Sequence, residues 1–211
     1  MVLENTVSSR VVAPIISALN GAALQQNNSF LRGKLGERLF SPNFQLFDTP
    51  HLYGAYGSRY FDGEGIATKP MNIIENGVVK SYYINTYFSR KLEMPVTIEG
   101  PSVPSCKYTG SPDSEKESTS LEDILKKCNN GIVVTGFNGG NSNSSTGDFS
   151  FGVQGFYFEN GVITHPIKEM NVTGNIITLW NNIVNTGTDP RESGRWLIPT
   201  LAFESVNFSG I

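Results

Sequence analysis

Few side chains in this 211-residue chain are of the types that perform chemistry, and fewer still are spaced for it. His51 and His165 lie far apart in sequence, each beside an apolar or proline residue. Neither has the one-turn spacing that lets two imidazoles hold one metal, so each reads as a hydrogen-bonded structural histidine. Cys106 and Cys128 have no CxxC spacing and read as free thiols of a reducing compartment. Asp62 and Glu64 alternate, so in a strand they share a face, and two adjacent carboxylates can share a proton. The other reading of Asp62-Gly63 is a turn whose Asp side chain caps the backbone, and turn chemistry favours it. Asn138-Gly139-Gly140 can cradle an anion through backbone N–H groups. No P-loop lysine follows, and the strand–glycine–helix context is missing, so nucleotide binding does not follow. Asp148, just after Gly147, pins that loop to the next strand. No Ser-His-Asp set can be assembled.

The elements that must position these residues are legible mainly through hairpins. From Phe149 to Phe158 a period of two argues a strand. Asn160-Gly161 then supplies the pair best suited to the positive φ angles of a tight turn, Val162-Ile163-Thr164 returns, and His165-Pro166 ends or edges it. Asn76-Gly77 repeats the device between strands at Lys69–Glu75 and Val78–Ile84. Near the start, Ser8-Ser9 precedes an apolar helix from Val11 to Gln25, with Pro14 placed in its first turn. No side chain from Val11 to Phe30 is ionisable, which predicts a helix buried on more than one side. A short helix or turn spans Phe30–Phe40, a strand Phe44–Phe47, an ordered Gly/Tyr-rich loop Tyr53–Gly65, and a helical turn Tyr87–Leu92. Ser120 caps an amphipathic helix Leu121–Cys128, with Glu122-Asp123 and Lys126-Lys127 placed as the helix dipole favours. Gly131–Phe137 reads as a buried strand, Asn138–Gly147 as a loop, Asn175–Asn185 as a second amphipathic helix and Leu197–Asn207 as strand. Residues 99–120, rich in Pro, Ser and charge, read as a surface loop. The sum is one α+β domain over residues 1–211, with a predominantly antiparallel β-sheet with hairpins, one buried N-terminal helix and two short amphipathic helices.

Several of these strings occur together in the order found in one family. They are Ser29-Phe30-Leu31, Lys34 to Glu37, Phe40-Ser41-Pro42-Asn43, the run Ser58 to Gly65 (SRYFDGEG), Ile74 to Val78, Asn85-Thr86-Tyr87, Asn138-Gly139, Thr146 to Ser150, and Gly174-Asn175. Together they resemble the C-terminal domain of the TldD/PmbA family of metallopeptidase-related proteins, on the PmbA (TldE) side. The family's members carry a further N-terminal region, so the resemblance implies that the chain corresponds to the last third or half of a longer protein.

The catalytic branch of that family, TldD, is a zinc peptidase with two histidines and a glutamate on a helix plus a downstream cysteine. The resemblance places that helix at Val11–Gln25, which holds no His, Glu, Asp or Cys, and the cysteine near Glu192-Ser193-Gly194, where none stands. It therefore implies a metal-free subunit with no cofactor of its own, zinc being confined to a TldD-like partner, in a cytoplasmic two-subunit protease acting on unfolded peptides. This is the origin of the family's label as modulator of DNA gyrase. Main-chain pairing at a sheet edge beside a glycine-rich loop can hold an extended peptide. The candidates for contact with peptide or partner are Asn138, Gly139, Gly140, Asp148, Phe149 and Ser150, while Asn76, Gly77, Asn160, Gly161, Asp62 and Glu64 are structural turn residues. The partner is a TldD-like subunit or a second copy of the chain. A peptidase with unidentified catalytic residues and an oligomeric scaffold are the other readings. A net charge of −3 gives no reason to expect a nucleic-acid partner, and no apolar stretch is long enough to span a bilayer. Met1 to Asn5 has no basic or apolar leader pattern, so a cytoplasmic location without a secretory signal is expected.

Overall fold

The computed structural model describes residues 1–110 and 119–210. Two sheets share the work. The larger is built from β1 (Val2–Leu3), β6 (Gly131–Phe137), β7 (Asn141–Ser142), β8 (Asp148–Glu159), β9 (Val162–Asn175), β10 (Ile183–Thr186), β11 (Leu201–Phe203) and β12 (Asn207–Gly210). Its order is β10-β11-β1-β6-β8-β9-β12, with β7 pairing β8 where β6 has ended. All of these pairings are antiparallel except β1 with β6. The smaller sheet holds β2 (Phe44–Asp48), β3 (Met71–Glu75), β4 (Val78–Val79) and β5 (Pro104–Tyr108) in the order β4-β3-β2-β5. The helices are α1 (Ser9–Ala18), α2 (Gly21–Gln25), α3 (Thr86–Leu92), α4 (Leu121–Cys128) and α5 (Ile176–Asn181). The class is α+β.

Strand alternation sorts the large sheet's side chains onto two faces. Leu3, Val134, Phe151, Val153, Leu201 and Phe203 join the main core, together with α1, α5 and the small sheet. Val2, Val133, Phe158 and Ala202 pack on the opposite face beneath Ile124 and Leu125 of α4. Trp180 ties the main core together. It is fully buried, lies 4.2 Å from the Phe44 ring and 5.3 Å from Phe203, and donates its indole N–H to the Val11 carbonyl at 3.2 Å. That bond satisfies the one polar atom which would otherwise make burying the indole costly.

Several elements differ from the sequence expectation. The apolar helix is interrupted at Leu19–Asn20, because the Asn20 side chain accepts from the Ala22 N–H and starts a new helix, while its backbone bridges to Tyr83. Pro14 sits inside α1 rather than in its first turn. Ser8 does not cap α1; its buried hydroxyl donates to the carbonyls of Asn5 and Ile198. The expected surface loop 99–120 contains β5, which pairs with β2 residue for residue from Pro104 to Tyr108; residues 111–118 lie outside those described. The region Asn175–Asn185 is helical only to Asn181, and Ile183 already belongs to a strand. Leu197–Asn207 resolves into β11 and the start of β12. The return strand runs on past Pro166, whose missing N–H is tolerated because β12 pairs only with Met170–Thr173 and leaves the earlier part of β9 at the sheet edge.

Both Asn-Gly pairs take positive φ, 49° and 75° at Asn76-Gly77 and 52° and 75° at Asn160-Gly161. Ser120 and Asp123 form a full capping box at the start of α4.

Candidate functional site

The exposed side of α1 is narrow. Val11, Val12, Pro14, Ile15, Ile16 and Ala18 are buried, which leaves Arg10, Ala13 and Ser17 as a stripe at helical spacing. Two adjoining depressions follow that stripe and share Arg10 and Ala13. The first, of about 760 Å³, is bounded by the turn Asn5–Val7, the α1 residues Ser9, Arg10 and Ala13, Phe137 at the end of β6, and residues of the turn Arg191–Trp196. The second, of about 370 Å³, continues along α1 to Pro14 and Ser17 and is walled by Gly140, Asn141, Ser142, Ser144 and Phe151. The two make one groove.

The sheet beside this groove has an open row. β1 covers β6 only at Val133 and Val134, after which Glu4 donates to the Val134 carbonyl and the chain turns away into α1. Among the described residues no strand pairs with the outer side of Gly136–Phe137, or with the side of β7 turned from β8. Arg10 spans the gap. Its guanidinium donates to the Gly140 carbonyl at 2.9 Å and lies 4.8 Å from the centroid of the Phe151 ring. Gly140 has φ +84°, and a Cβ there would stand 2.1 Å from the Ser150 carbonyl oxygen, so glycine is needed for the loop to lie against β8.

The sequence-derived candidates separate once placed. Of the six, only Gly140 lines the groove, through the carbonyl held by Arg10 rather than through an anion-binding N–H. Asn138 donates its backbone N–H to Gly152 and closes the loop onto β8. Phe149 is buried and stacks on Phe151 at 5.2 Å, which makes its side chain core, and Ser150 is exposed across from Asn141. Asp148 accepts from the Asn175 amide at 2.9 Å and the Thr146 hydroxyl at 2.7 Å, and these bonds, Asn175 first, hold its carboxyl below the usual carboxylate range. Asp62 is buried and accepts from the N–H groups of Glu64, Ile66 and Glu99, while Glu64 accepts from the Thr86 N–H. The two carboxylates accept from different backbone N–H groups, Asp62 in the turn that the sequence favours. His51 bonds the Thr68 hydroxyl and lies against Tyr60; His165 bonds the Thr164 hydroxyl and stacks on Tyr157.

A model of the PmbA/TldA metallopeptidase C-terminal domain matches residues 1–210. The chain belongs to this family. Among its relatives, metalloprotease PmbA of Escherichia coli O157:H7 is 30% identical over 189 residues, 90% of this chain and 41% of that protein. A PmbA homologue of Buchnera aphidicola subsp. Acyrthosiphon pisum is 31% identical over 210 residues, 100% of this chain and 46% of that protein. The chain thus spans less than half the length of these relatives. A crystal structure of a proposed modulator of DNA gyrase from Bacteroides thetaiotaomicron superposes with a TM-score of 0.92 at 51% identity, covering 100% of this chain and 46% of the other. TldE from Thermococcus kodakarensis shares the fold, with a TM-score of 0.79 at 23% identity over 93% of this chain and 46% of its own.

The family is described as metallopeptidase, and a metal in this groove would need N, S or O ligands from its lining. Neither depression is lined by His, Cys, Asp or Glu, and among the described residues no three such side chains gather anywhere. A zinc site of three or four N, S or O ligands does not fit the residues that line this groove. The side chains that sequence reasoning missed are Arg10, Ala13, Arg191, Arg195 and Trp196. Arg10 stands one residue before the apolar run, and its alignment with Ala13 and Ser17 was a usable signal. The approach of Arg191–Trp196 to α1 is a tertiary fact with no local signature.

Proposed function

We propose that the chain is a metal-free, non-catalytic peptide-binding domain of a TldD/TldE-type protease assembly, holding unfolded peptide for a catalytic partner. The observation that carries this reading is the coincidence of two segments in one groove. The helix Val11–Gln25 and the turn near Ser193, at which the family resemblance places metal ligands and cysteine, both border the larger depression, and they bring Ala13, Ser193 and Gly194 there, with Arg10 just ahead of the helix. The groove persists without the ligands, at a volume that suits a chain-like occupant, and lies against an open strand row that can pair with an extended main chain. Partnership with a TldD-like subunit or a second copy has its own support. Leu52, Tyr53, Tyr56, Tyr60 and Phe61 concentrate exposed apolar surface in one stretch, a pattern that marks contact surfaces.

The test is binding of a labelled unfolded peptide before and after exhaustive chelation, with elemental analysis of the same sample. The expected result is saturable binding that chelation leaves unchanged, with no stoichiometric zinc and no cleavage by the chain alone. About one tightly held zinc per chain, lost together with peptide binding on chelation, would contradict the reading.

A further inference from the structure

The larger depression has a charge character that peptide holding by itself does not demand. Its charged lining side chains are Arg10, Arg191 and Arg195, with no carboxylate among the residues that bound it. Among the described residues none of the three arginines forms a salt bridge. Arg10 is committed to the Gly140 carbonyl and the Phe151 ring, and Arg191 donates Nε only to the Ser193 hydroxyl at 3.1 Å. The first turn of α1, which borders the same space, contains no acidic residue to offset the helix dipole. Arginines with no carboxylate beside them in the lining give the concavity a positive potential, and an anion entering it neutralises that potential while accepting charge-assisted bonds. The smaller depression has no charged lining residue other than the shared Arg10. The groove is therefore polarised, with neutral small side chains and an open strand at one end and cationic side chains at the other.

Resting on the peptide-holding reading above, we infer that this cavity binds the free C-terminal carboxylate of the extended peptide. The main chain lies along Asn141–Ser142 and Phe137, and Arg191 and Arg195 take the terminal carboxylate. Planar guanidinium groups suit a carboxylate because two parallel N–H donors match its two oxygens. An end so anchored fixes the direction and register of a peptide whose side chains are otherwise unread, since main-chain pairing alone lets it slip by two residues.

The test uses the 211-residue chain and an N-terminally labelled unstructured peptide with neutral side chains, made as free acid and as C-terminal amide, with anisotropy as readout. The free acid is expected to bind at least fivefold more tightly than the amide, with the difference shrinking as salt is raised. In Arg191→Gln/Arg195→Gln the free acid is expected to fall to the affinity of the amide, with an unchanged melting temperature because both side chains are exposed. Equal binding of acid and amide by the parent chain would overturn the inference and leave peptide holding intact. Full recovery of affinity by an internal glutamate in the amidated peptide would also overturn it, by showing that any carboxylate serves. If neither peptide binds, the inference and the peptide-holding reading both fail.

Discussion

Single side chains in this molecule are set mostly by what they hold in place. Asp148 is exposed, yet its bonds to Asn175 and Thr146 favour the charged form and lower its pKa. For a carboxyl whose folded pKa is depressed, the contribution to stability is present above the unfolded value and is lost as pH falls through the folded one. The tie between the Asn138–Gly147 loop and the start of α5 should therefore outlast the ordinary carboxylate range of about 3.9 as acid is added. An NMR titration of the Asp148 carboxyl checks this. A midpoint below that range, moving up in Asn175→Ala, is expected, and a midpoint at or above it contradicts the bonding described. Cys106 is the opposite kind of residue, buried on β5 with its thiol pushed up by desolvation alone. It should resist alkylation at neutral pH in the folded chain and react once denaturant is added. Labelling in the native state at the rate of a free thiol would mean that β5 is not packed as described.

At the scale of elements, the two Asn-Gly turns are alike in dihedral angle and unlike in surroundings. A Cβ on Gly161 would come 2.7 Å from Lys126 Cα, and one on Gly77 would come 2.1 Å from the Phe40 carbonyl oxygen. Both residues have φ of +75°, where a β-branched side chain is strained, so valine at either position should cost more than about 1 kcal/mol. Gly77→Val should be the worse, because its Cβ meets the Phe40 and Ser41 carbonyl oxygens more closely than the Gly161 Cβ meets Lys126. Urea denaturation of both variants checks this, and parent-like midpoints would refute the turn geometry. Ala18 is fully buried, whereas Ala22 on the next helix is half-buried. Ala18→Glu should abolish soluble folding through an unpaired buried carboxylate, and Ala22→Glu should cost less. These turns and the Ser120 cap of α4 were legible in the sequence because their signals are local: a residue pair that accepts positive φ, or a hydroxyl just before an amphipathic run. The break at Asn20 depends on a bridge to Tyr83, and β5 exists because Phe44–Asp48 offers it a partner, so neither is encoded within its own segment. The groove was half legible. The ligand-free helix could be read directly, but the turn that faces it comes from the far end of the chain.

At the scale of the molecule, two features of the described residues bear on the proposed contacts, the groove over α1 and the aromatic stretch from Leu52 to Phe61. The stretch is held firmly. A Cβ on Gly57 would lie 2.1 Å from the Ser102 carbonyl oxygen, Arg59 donates to Ser102, Glu99 and Gly100, and the buried Asp48 accepts the N–H groups of Ser102 and Val103. The backbone that carries its exposed rings is therefore preorganised, which lowers the entropy lost on contact. Tyr53→Ser/Tyr56→Ser should leave the melting temperature near that of the parent and weaken association with a TldD-like subunit or a second copy at least tenfold in sedimentation velocity. Unchanged association would remove this surface from the interface. In the function proposed for the chain, unfolded peptide occupies a groove whose lining offers no metal ligands. Backbone amide exchange with and without saturating peptide, in the presence of chelator, tests it most directly. New protection is expected at Gly136–Phe137 and Asn141–Ser142, with little change in the hairpin around Asn160-Gly161; protection absent from the groove, or dependent on added zinc, would show that peptide is not held there without metal.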